Sequence, residues 1–340
     1  MADAPKVWVV AETSGSGLSE VSLELLSKAS ELAGKLKTGV AAALVGYSIE
    51  PLAPELISYG ADVVFLAQDE RLKDYLANPY AKIIARLLAE EKPEIVLYGA
   101  SSTGRDLAPR VASQIRAGLT ADCTDLKIGD HKDLKTGKVY RNILFQVRPA
   151  FGGNIIATIV NLDHRPQMST VREGVMRMSQ PQASRRGEVI EVPVELSPED
   201  FLVEVLERVE AQRKVNLKGA NIIVSGGAGV GSRENFRLIH EFAEVLDAEV
   251  GASRAAVDAG FVSKEHQVGQ TGTTVRPKLY IACGISGSVQ HQAGMSEAGK
   301  ILAINTDPEA PIMNIAHYKI IGDLNEVIPQ LIKTHKASGR

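Results

Sequence analysis

Residues 221–232 read NIIVSGGAGVGS. An apolar run that gives way to seven residues, six of them small, and then a serine is the pattern of a buried strand, a tight turn and a helix start. The helix follows at once, with Phe236, Ile239, Phe242, Ala243 and Leu246 at helical spacing and Ser232 placed to cap it. Small residues in such a turn let backbone N–H groups approach a pyrophosphate near a helix N-terminus. The glycines miss the G-x-G-x-x-G spacing, however, and ordinary strand-to-helix turns use the same residues, so 225–231 reads equally well as a plain turn or as a phosphate loop. No Gly-Lys-Ser/Thr follows, which argues against ATP hydrolysis.

Downstream, strands are predicted at 279–282, 301–304 and 320–321, each ending in polar or glycine-rich residues. In a parallel sheet these ends share one edge, which collects 284–291, Asn305 and Asp323 where open α/β folds bind their ligands. Two segments there are too polar for core. QVGQTG (267–272) reads as a ligand loop or as a solvated turn, and GISGSVQH (284–291) as a ligand loop or as a helix start with a satisfied histidine.

Upstream, apolar runs at 7–11, 40–45, 63–67 and 95–98 alternate with segments of helical spacing. Residues 80–91 show the pattern, since Ile83, Ile84, Leu87 and Leu88 form one stripe and Lys82, Arg86 and Glu90 lie off it. A β-α-β rhythm on a parallel sheet follows. Between 123 and 178 the runs VYRNILFQVRPA and NIIATIVNL, separated by the turn signal at 151–154, predict antiparallel or edge strands. SQPQASRRGEVIEVPVELSPED (179–200) carries three prolines and loses periodicity, as a connection between domains does.

The chain has 340 residues, 44% hydrophobic and 23% charged, an ordinary globular composition that favours two domains over one. A formal net charge of -3 with scattered basic residues gives no footprint for nucleic acid or an anionic membrane. No apolar run reaches bilayer-spanning length, and no signal peptide is read at the start, so a cytoplasmic location without membrane insertion is expected. Cys123 and Cys283 lack the spacing of a zinc or disulfide framework. No metal site is expected.

The glycine-rich segments combine with GASRAAVDAGFV (251–262), LYIACGISGSVQH (279–291), AGM (293–295), AIN (303–305), DPEAPI (307–312) and GDL (322–324). In this order they resemble the FAD-binding signature of electron transfer flavoprotein alpha subunits, and GRDLAPRVA (104–112) is similar to that family's first domain. The resemblance implies an α/β protein of two domains, each built on a mostly parallel sheet flanked by helices. An N-terminal domain over 1–198 would pack against a beta subunit, a linker would run near 179–216, and a Rossmann-like FAD-binding domain would cover 217–340.

By the same resemblance one FAD lies among Ser253, Arg254, Gln267, Val268, Gly269, Gln270 and Thr271 and the segment of Gly284, Ser286, Gly287, Ser288, Val289, Gln290 and His291. Asn305, Asp323 and Leu324 would serve its adenosine end. A flavin that accepts one electron develops negative charge near N1 and the C2 carbonyl, and His291 and Arg254 are the matching donor or cation. Thr271 would reach N5 or the C4 carbonyl, Gln270 the ribityl chain and Asp323 a ribose hydroxyl. The plain alternatives are a surface ion pair for Arg254 and a helix cap for Asp323. The chain departs from the family at Ala228, where an arginine is common, and at Arg233, His317 and Lys319.

GLTADCT (118–124), RPAFGGN (148–154) and TVR (170–172) resemble the electron-bifurcating branch. That branch implies a second FAD, or an AMP, in the beta subunit, with electrons from NADH divided between ferredoxin and the flavin held here. The alternative within the family is a one-FAD shuttle from an acyl-CoA dehydrogenase or other flavoprotein dehydrogenase to a quinone oxidoreductase. Outside it stand an NAD-dependent dehydrogenase, disfavoured because no acid–base pair is evident, and a nucleotide-sensing module.

Overall fold

A computed structural model describes residues 4–14, 17–150, 155–207 and 215–337. The described residues up to 207 form one compact unit and those from 215 a second.

The first unit runs β1 (Val7–Ala11), a two-residue ladder of β2 (Thr13–Ser14) and β3 (Gly17–Leu18), α1 (Glu20–Leu36), β4 (Val40–Gly46), α2 (Ala53–Ser58), β5 (Val63–Gln68), α3 (Ala77–Glu91), β6 (Ile95–Gly99) and α4 (Ser102–Gln114). Then come β7 (Leu119–Cys123), β8 (Asp125–Lys132), β9 (Val139–Ala150), β10 (Ile155–Ile159), β11 (Gln167–Val171) and β12 (Glu188–Glu191). Seven strands pair in parallel in the order β12-β5-β4-β1-β6-β11-β7. All five residues of β1 are buried because both faces of the sheet are covered. Val7 and Val9 pack with Leu25, Leu26 and Leu32 of α1 on one face; Trp8 and Val10 pack with Ile83, Ile84, Leu107 and Val111 of α3 and α4 on the other. Trp8 stacks on Phe65 with ring centroids 4.6 Å apart.

Strands β8, β9 and β10 form the expected antiparallel sheet; the turn signal at 151–154 lies outside the described residues. Two expectations need correction. Strand β11 is neither antiparallel nor an edge; it runs parallel and buried between β6 and β7. Its polar sequence, QMSTV, hides this, and the polar groups are offset by specific partners: Gln167 Oε1 accepts from Leu144 N (3.0 Å), Ser169 Oγ from Gln146 Nε2 (3.0 Å) and Thr170 Oγ1 from Asp122 N (2.9 Å). The stretch 179–200, read as a connection, contains β12, which pairs in parallel with β5 as an edge strand. Three of its four residues are exposed, so it lacks the alternation that marks a strand.

Glu12 follows β1 beside β6, where the strand order reverses. Its Oε2 accepts from Ser101 Oγ at 2.5 Å, while Oε1 is buried with no hydrogen-bond partner among the described residues. Burial raises its pKa to about 7, with the Glu173 charge adding and the Ser101 bond opposing. A carboxyl whose folded pKa lies above its unfolded value stabilises the fold below the unfolded value and loses that contribution as pH rises through about 7. Glu12→Gln is therefore expected to be more stable than the parent at pH 8 by ~2 kcal/mol, with the gap closing toward pH 5. Urea denaturation of both proteins across that range checks it; parallel stability curves would show that Glu12 does not titrate in the window.

The second unit is a five-stranded sheet in the order β14-β13-β15-β16-β17, all parallel. In chain order it contains β13 (Ile222–Gly226), α5 (Arg237–Val245), β14 (Glu249–Ala252), α6 (Arg254–Asp258), β15 (Leu279–Cys283), α7 (Val289–Gln292), β16 (Lys300–Asn305), α8 (Pro311–Ile315), β17 (Tyr318–Ile321) and α9 (Leu324–Ala337). The opening strand, turn and helix are as expected, and α5 buries Ile239, Phe242 and Ala243. Ser232 does not cap that helix directly. Its Oγ accepts from Asn235 N (3.1 Å) in a preceding turn, and α5 begins five residues later. Strand β14, EVGA, was not anticipated, since four residues with two small ones carry no branched run. Among the described residues of either unit, no helix is long and apolar enough to cross a membrane.

Candidate functional site

Because all five strands of the second unit run one way, the loops leaving their carboxyl ends share an edge. A cavity of about 570 Å³ opens there, a size usual for cofactor pockets. The loop between β15 and α7 forms one wall. Gly284 (φ +60°) and Gly287 (φ +85°) turn the chain, and Ile312 N donates to Ser286 O (3.0 Å), fixing the loop against α8. Gly284, Ser286, Gly287, Ser288, Gln290 and His291 line the cavity. The segment 267–271 forms a second wall, and every one of its residues lines the cavity. It is no solvated turn. Gln267 and Val268 are buried, Val268 N donates to Ala252 O (2.9 Å), Gln270 N to Gln290 O (2.7 Å), and Gln267 Nε2 to Thr271 Oγ1 (2.9 Å).

Ser253 caps α6, its Oγ accepting from Ala256 N at 3.3 Å, and so delivers Arg254 to the rim. Arg254 is exposed and also pairs with Asp258 at 3.2 Å, so the surface ion pair and the cavity position coexist. Exposed pairs of this kind hold a side chain weakly. Asn305 sits on the floor, with Nδ2 donating to Ile285 O (3.0 Å) and Oδ1 accepting from Asp307 N (3.0 Å).

Three expected residues do not line the cavity. Val289 faces outward from α7. Asp323 caps α9: Oδ1 accepts from Asn325 N (2.8 Å), and its carbonyl accepts from Glu326 N and Val327 N, which is the plain alternative for that residue. Leu324 turns its side chain into the core beneath Gly284. The sequence reading in turn did not single out Ala255, Ile285, Asp307 or Ala310, which complete the lining. Asp307 stands in DPEAPI, two residues past Asn305, and that proximity was the available signal.

The first glycine loop is decided by its hydrogen bonds. Gly227 N donates to Cys283 O (2.9 Å), Gly229 N to Gly284 O (3.0 Å), Val230 N to Gly227 O (3.1 Å) and Gly231 N to Ala228 O (3.0 Å). A Cβ on Gly227 would lie 2.7 Å from Ile285 Cα. The glycines permit close packing of two loops, and four N–H groups are committed to carbonyls. Ala228 and Gly229 border the cavity, and the four bonds make the segment a tight turn with those N–H groups already engaged. The other departures have local roles or none. His317 exchanges hydrogen bonds with Ile301, accepting from its N through Nδ1 (3.1 Å). Arg233 lines a separate hollow with Arg237, His240 and His266, and Lys319 is exposed on β17.

His291 differs most from expectation. Only 5% exposed, it has Nδ1 3.1 Å from Val268 O and Nε2 3.0 Å from the Tyr280 hydroxyl. A carbonyl only accepts, so Nδ1 carries the hydrogen and Nε2 accepts from Tyr280. Burial depresses its pKa to about 4 against a smaller opposing effect of the Val268 bond. In this geometry the ring is neutral with both nitrogens engaged. Of the donor or cation expected from His291 and Arg254, the neutral ring is not the cation, and among the described residues Arg254 is the one arginine or lysine lining the cavity.

In the first unit, residues of three of the quoted motifs meet at Asp122 of β7. Arg172, 7% exposed, holds it through Nε (3.2 Å) and Nη2 (2.7 Å), and Arg105 adds a contact at 3.2 Å. Burial alone would raise Asp122, but the Arg172 hydrogen bond and the charges of Arg172, Arg105 and Arg148 hold its carboxyl below the ordinary range.

An α/β domain with a cavity at its carboxyl edge, walled by hydroxyl, amide and backbone groups with one guanidinium at the rim, defines a nucleotide-cofactor protein. The comparisons carry this to a family. Residues 7–197 match the electron transfer flavoprotein domain and residues 216–296 the electron transfer flavoprotein FAD-binding domain. The chain is 50% identical over 337 residues to "Electron transfer flavoprotein subunit alpha" of Thermoanaerobacterium thermosaccharolyticum, covering 99% of each chain. It is 45% identical to "Protein FixB" of Clostridium saccharobutylicum, over 99% of this chain and 98% of that one. It is 42% identical to "Lactate dehydrogenase (NAD(+),ferredoxin) subunit LctC" of Acetobacterium woodii, over 92% of this chain and 72% of that one. The chain belongs to the electron transfer flavoprotein alpha subunit family; it binds FAD and its function is electron transfer.

The donor set fits that cofactor. The hydroxyls of Ser253, Thr271, Ser286 and Ser288 and the amides of Gln270, Gln290 and Asn305 suit a polyhydroxylated dinucleotide, and Arg254 suits its negative charge.

Proposed function

We propose that this chain works as half of a heterodimer with a beta subunit and belongs to the electron-bifurcating branch, taking electrons that originate from NADH and divide between ferredoxin and the FAD held here. The observation that carries the branch is the 42% identity to a subunit whose name couples NAD(+) with ferredoxin. The cluster of Asp122, Arg172 and Thr170 supports it, because the motif residues that resemble that branch are packed together and hydrogen-bonded.

FAD supplies one-electron and two-electron chemistry when bound, and the protein contributes binding, orientation and electrostatics. Gln270 N bonded to Gln290 O braces the two walls against each other and Gln267 bonded to Thr271 stiffens the second, so that donors are held in place before electrons arrive. Arg254, at the exposed rim, is placed to offset negative charge. No side chain here is assigned to covalent or acid–base catalysis. Val289, Asp323 and Leu324 lie off the cavity wall, and any contact they make would come from backbone groups or from the rim.

The test is the visible spectrum of the co-expressed heterodimer against protein concentration, followed by addition of NADH. Two FAD per heterodimer with rapid reduction is the expected result. One FAD that NADH cannot reduce would overturn bifurcation in favour of the shuttle from an acyl-CoA dehydrogenase to a quinone oxidoreductase.

A further inference from the structure

His291 ties three elements together. It stands on α7, its Nδ1–H reaches Val268 on the second cavity wall (3.1 Å), and its Nε2 meets Tyr280 on β15 (3.0 Å). Tyr280 is fully buried, with its ring centroid 6.0 Å from that of His291. The carbonyl of Val268 fixes the tautomer, so the bare lone pair on Nε2 exists to be filled by the Tyr280 hydroxyl. A second proton can enter the ring only at Nε2, and only if that hydroxyl stops donating.

The hydroxyl has somewhere else to turn. Ser225, buried on the neighbouring strand β13, is close enough to Tyr280 to stabilise its oxygen, yet Ser225 Oγ has no partner at hydrogen-bond geometry among the described residues. An orphan hydroxyl in a buried site calls for a reason. With Tyr280 donating to His291, Ser225 is left over; with Tyr280 accepting from a protonated Nε2, its hydrogen is released toward Ser225 Oγ. Two arrangements of the same three groups thus correspond to two charge states of the imidazole.

We propose that Tyr280 is the positioning residue that sets the protonation state of His291, with Ser225 as the second partner to which its hydroxyl turns when the imidazole takes up a proton. The inference rests on FAD occupying the cavity. With FAD bound the cavity would receive negative charge on reduction by a redox partner, and the part played by this chain would be to take a proton from solvent at Nε2 while Tyr280 turns from donor to acceptor, so that the added charges balance. The other charged groups lining the cavity are Arg254 from α6 and Asp307 after β16, and Cys283 lies buried on β15 with its thiol pushed up to about 12. Neither Arg254 nor Asp307 makes a hydrogen bond to His291, whose two ring nitrogens are occupied by Val268 and Tyr280.

The experiment uses the full-length chain with FAD bound, labelled with nitrogen-15 histidine, the His291 signals being identified by their loss in His291→Gln. In the parent, nitrogen shifts should report hydrogen on Nδ1 and a titration near pH 4. Tyr280→Phe keeps the ring but removes both the donor to the neutral imidazole and the stronger, charge-assisted acceptor of the protonated one, so the titration should move down by about one pH unit, a roughly tenfold change in proton affinity. The pH at which the flavin midpoint potential begins to depend on pH should move with it. Ser225→Ala removes the partner used only by the protonated arrangement, so it should lower the oxidised titration and reduce the proton uptake that accompanies reduction. Flavin retained in Tyr280→Phe with an unchanged His291 titration would overturn the proposal. Were Tyr280→Phe not to fold, unaltered proton uptake in Ser225→Ala would overturn it as well. Absence of flavin from the parent would instead strike the FAD reading, and the two failures are distinct.

Discussion

Gly287→Ala is expected to cost the chain its flavin. Gly287 has φ +85°, a region that an L side chain enters at a cost of about 1 kcal/mol or more. Space is the larger obstacle. A Cβ there would lie 2.5 Å from Ile312 N, 2.6 Å from Ile312 Cβ and 2.7 Å from Ile312 Cα. These atoms cannot step aside as the tip of a flexible side chain would, because Ile312 N donates to Ser286 O and Ile312 is buried in the core. Overpacking of this kind costs about 1–3 kcal/mol, so the sum is about 2–4 kcal/mol. The wall between Ser286 and His291 must move for the variant to fold at all. A loss of about 100-fold in FAD affinity is expected, measured as flavin absorbance per protein after gel filtration at fixed added FAD. Parent-like affinity in the alanine variant would mean that this loop does not hold the cofactor.

Arg172→Ala carries the second large effect, in the other unit. Arg172 reaches both oxygens of Asp122 and is nearly buried, whereas the Asp122 side chain is 22% exposed and takes a second contact from Arg105. Removing one partner of a buried pair costs about 3–5 kcal/mol because a charge is left uncompensated. Residual exposure and Arg105 lower the expectation here to about 2–3 kcal/mol. Asp122 also holds φ +60°, so the backbone at this turn depends on the contacts that anchor it. A carboxyl with a depressed folded pKa stabilises above its unfolded value and loses that contribution as pH falls through the folded one. The gap between parent and variant should therefore be full at pH 7 and shrink only below the ordinary carboxylate value of 3.8. Urea titrations at pH 7 and pH 3 read this directly. Arg172→Lys keeps the charge without the two-pronged geometry and should fall between them. A variant as stable as the parent at pH 7 would remove Asp122 from the list of groups that hold the unit together.

Where hydrophobic period and strand length agreed, the elements were legible from residues alone. The runs at 7–11, 40–45, 63–67 and 95–98 became β1, β4, β5 and β6, and 279–282, 301–304 and 320–321 became β15, β16 and β17. Legibility failed for β11, whose buried face is polar, and for β12, which is exposed at the edge of the sheet. Both depart from the apolar signature for reasons that lie in their neighbours. Gln146 and Leu144 on β9 satisfy the side chains of β11, and β5 supplies the ladder for β12.

The site divides the same way. Fourteen of the seventeen expected residues line one cavity, because glycine-rich and polar segments at parallel strand ends can only gather at one edge. Val289, Asp323 and Leu324 show the limit of that argument, since a place at the strand edge does not give the direction of a side chain.

By itself the sequence determined the α/β class, the sheet edge that carries the site and the kinship with a flavin-binding family, all of which depend on local pattern and residue type. Only the tertiary structure decided that the first glycine loop spends its N–H groups on its neighbours and that His291 is neutral. Both are settled by which groups meet across the fold, since a donor already bonded to a buried carbonyl is lost to a ligand, and the cost of charging an imidazole depends on its burial and on the partner that fills its lone pair.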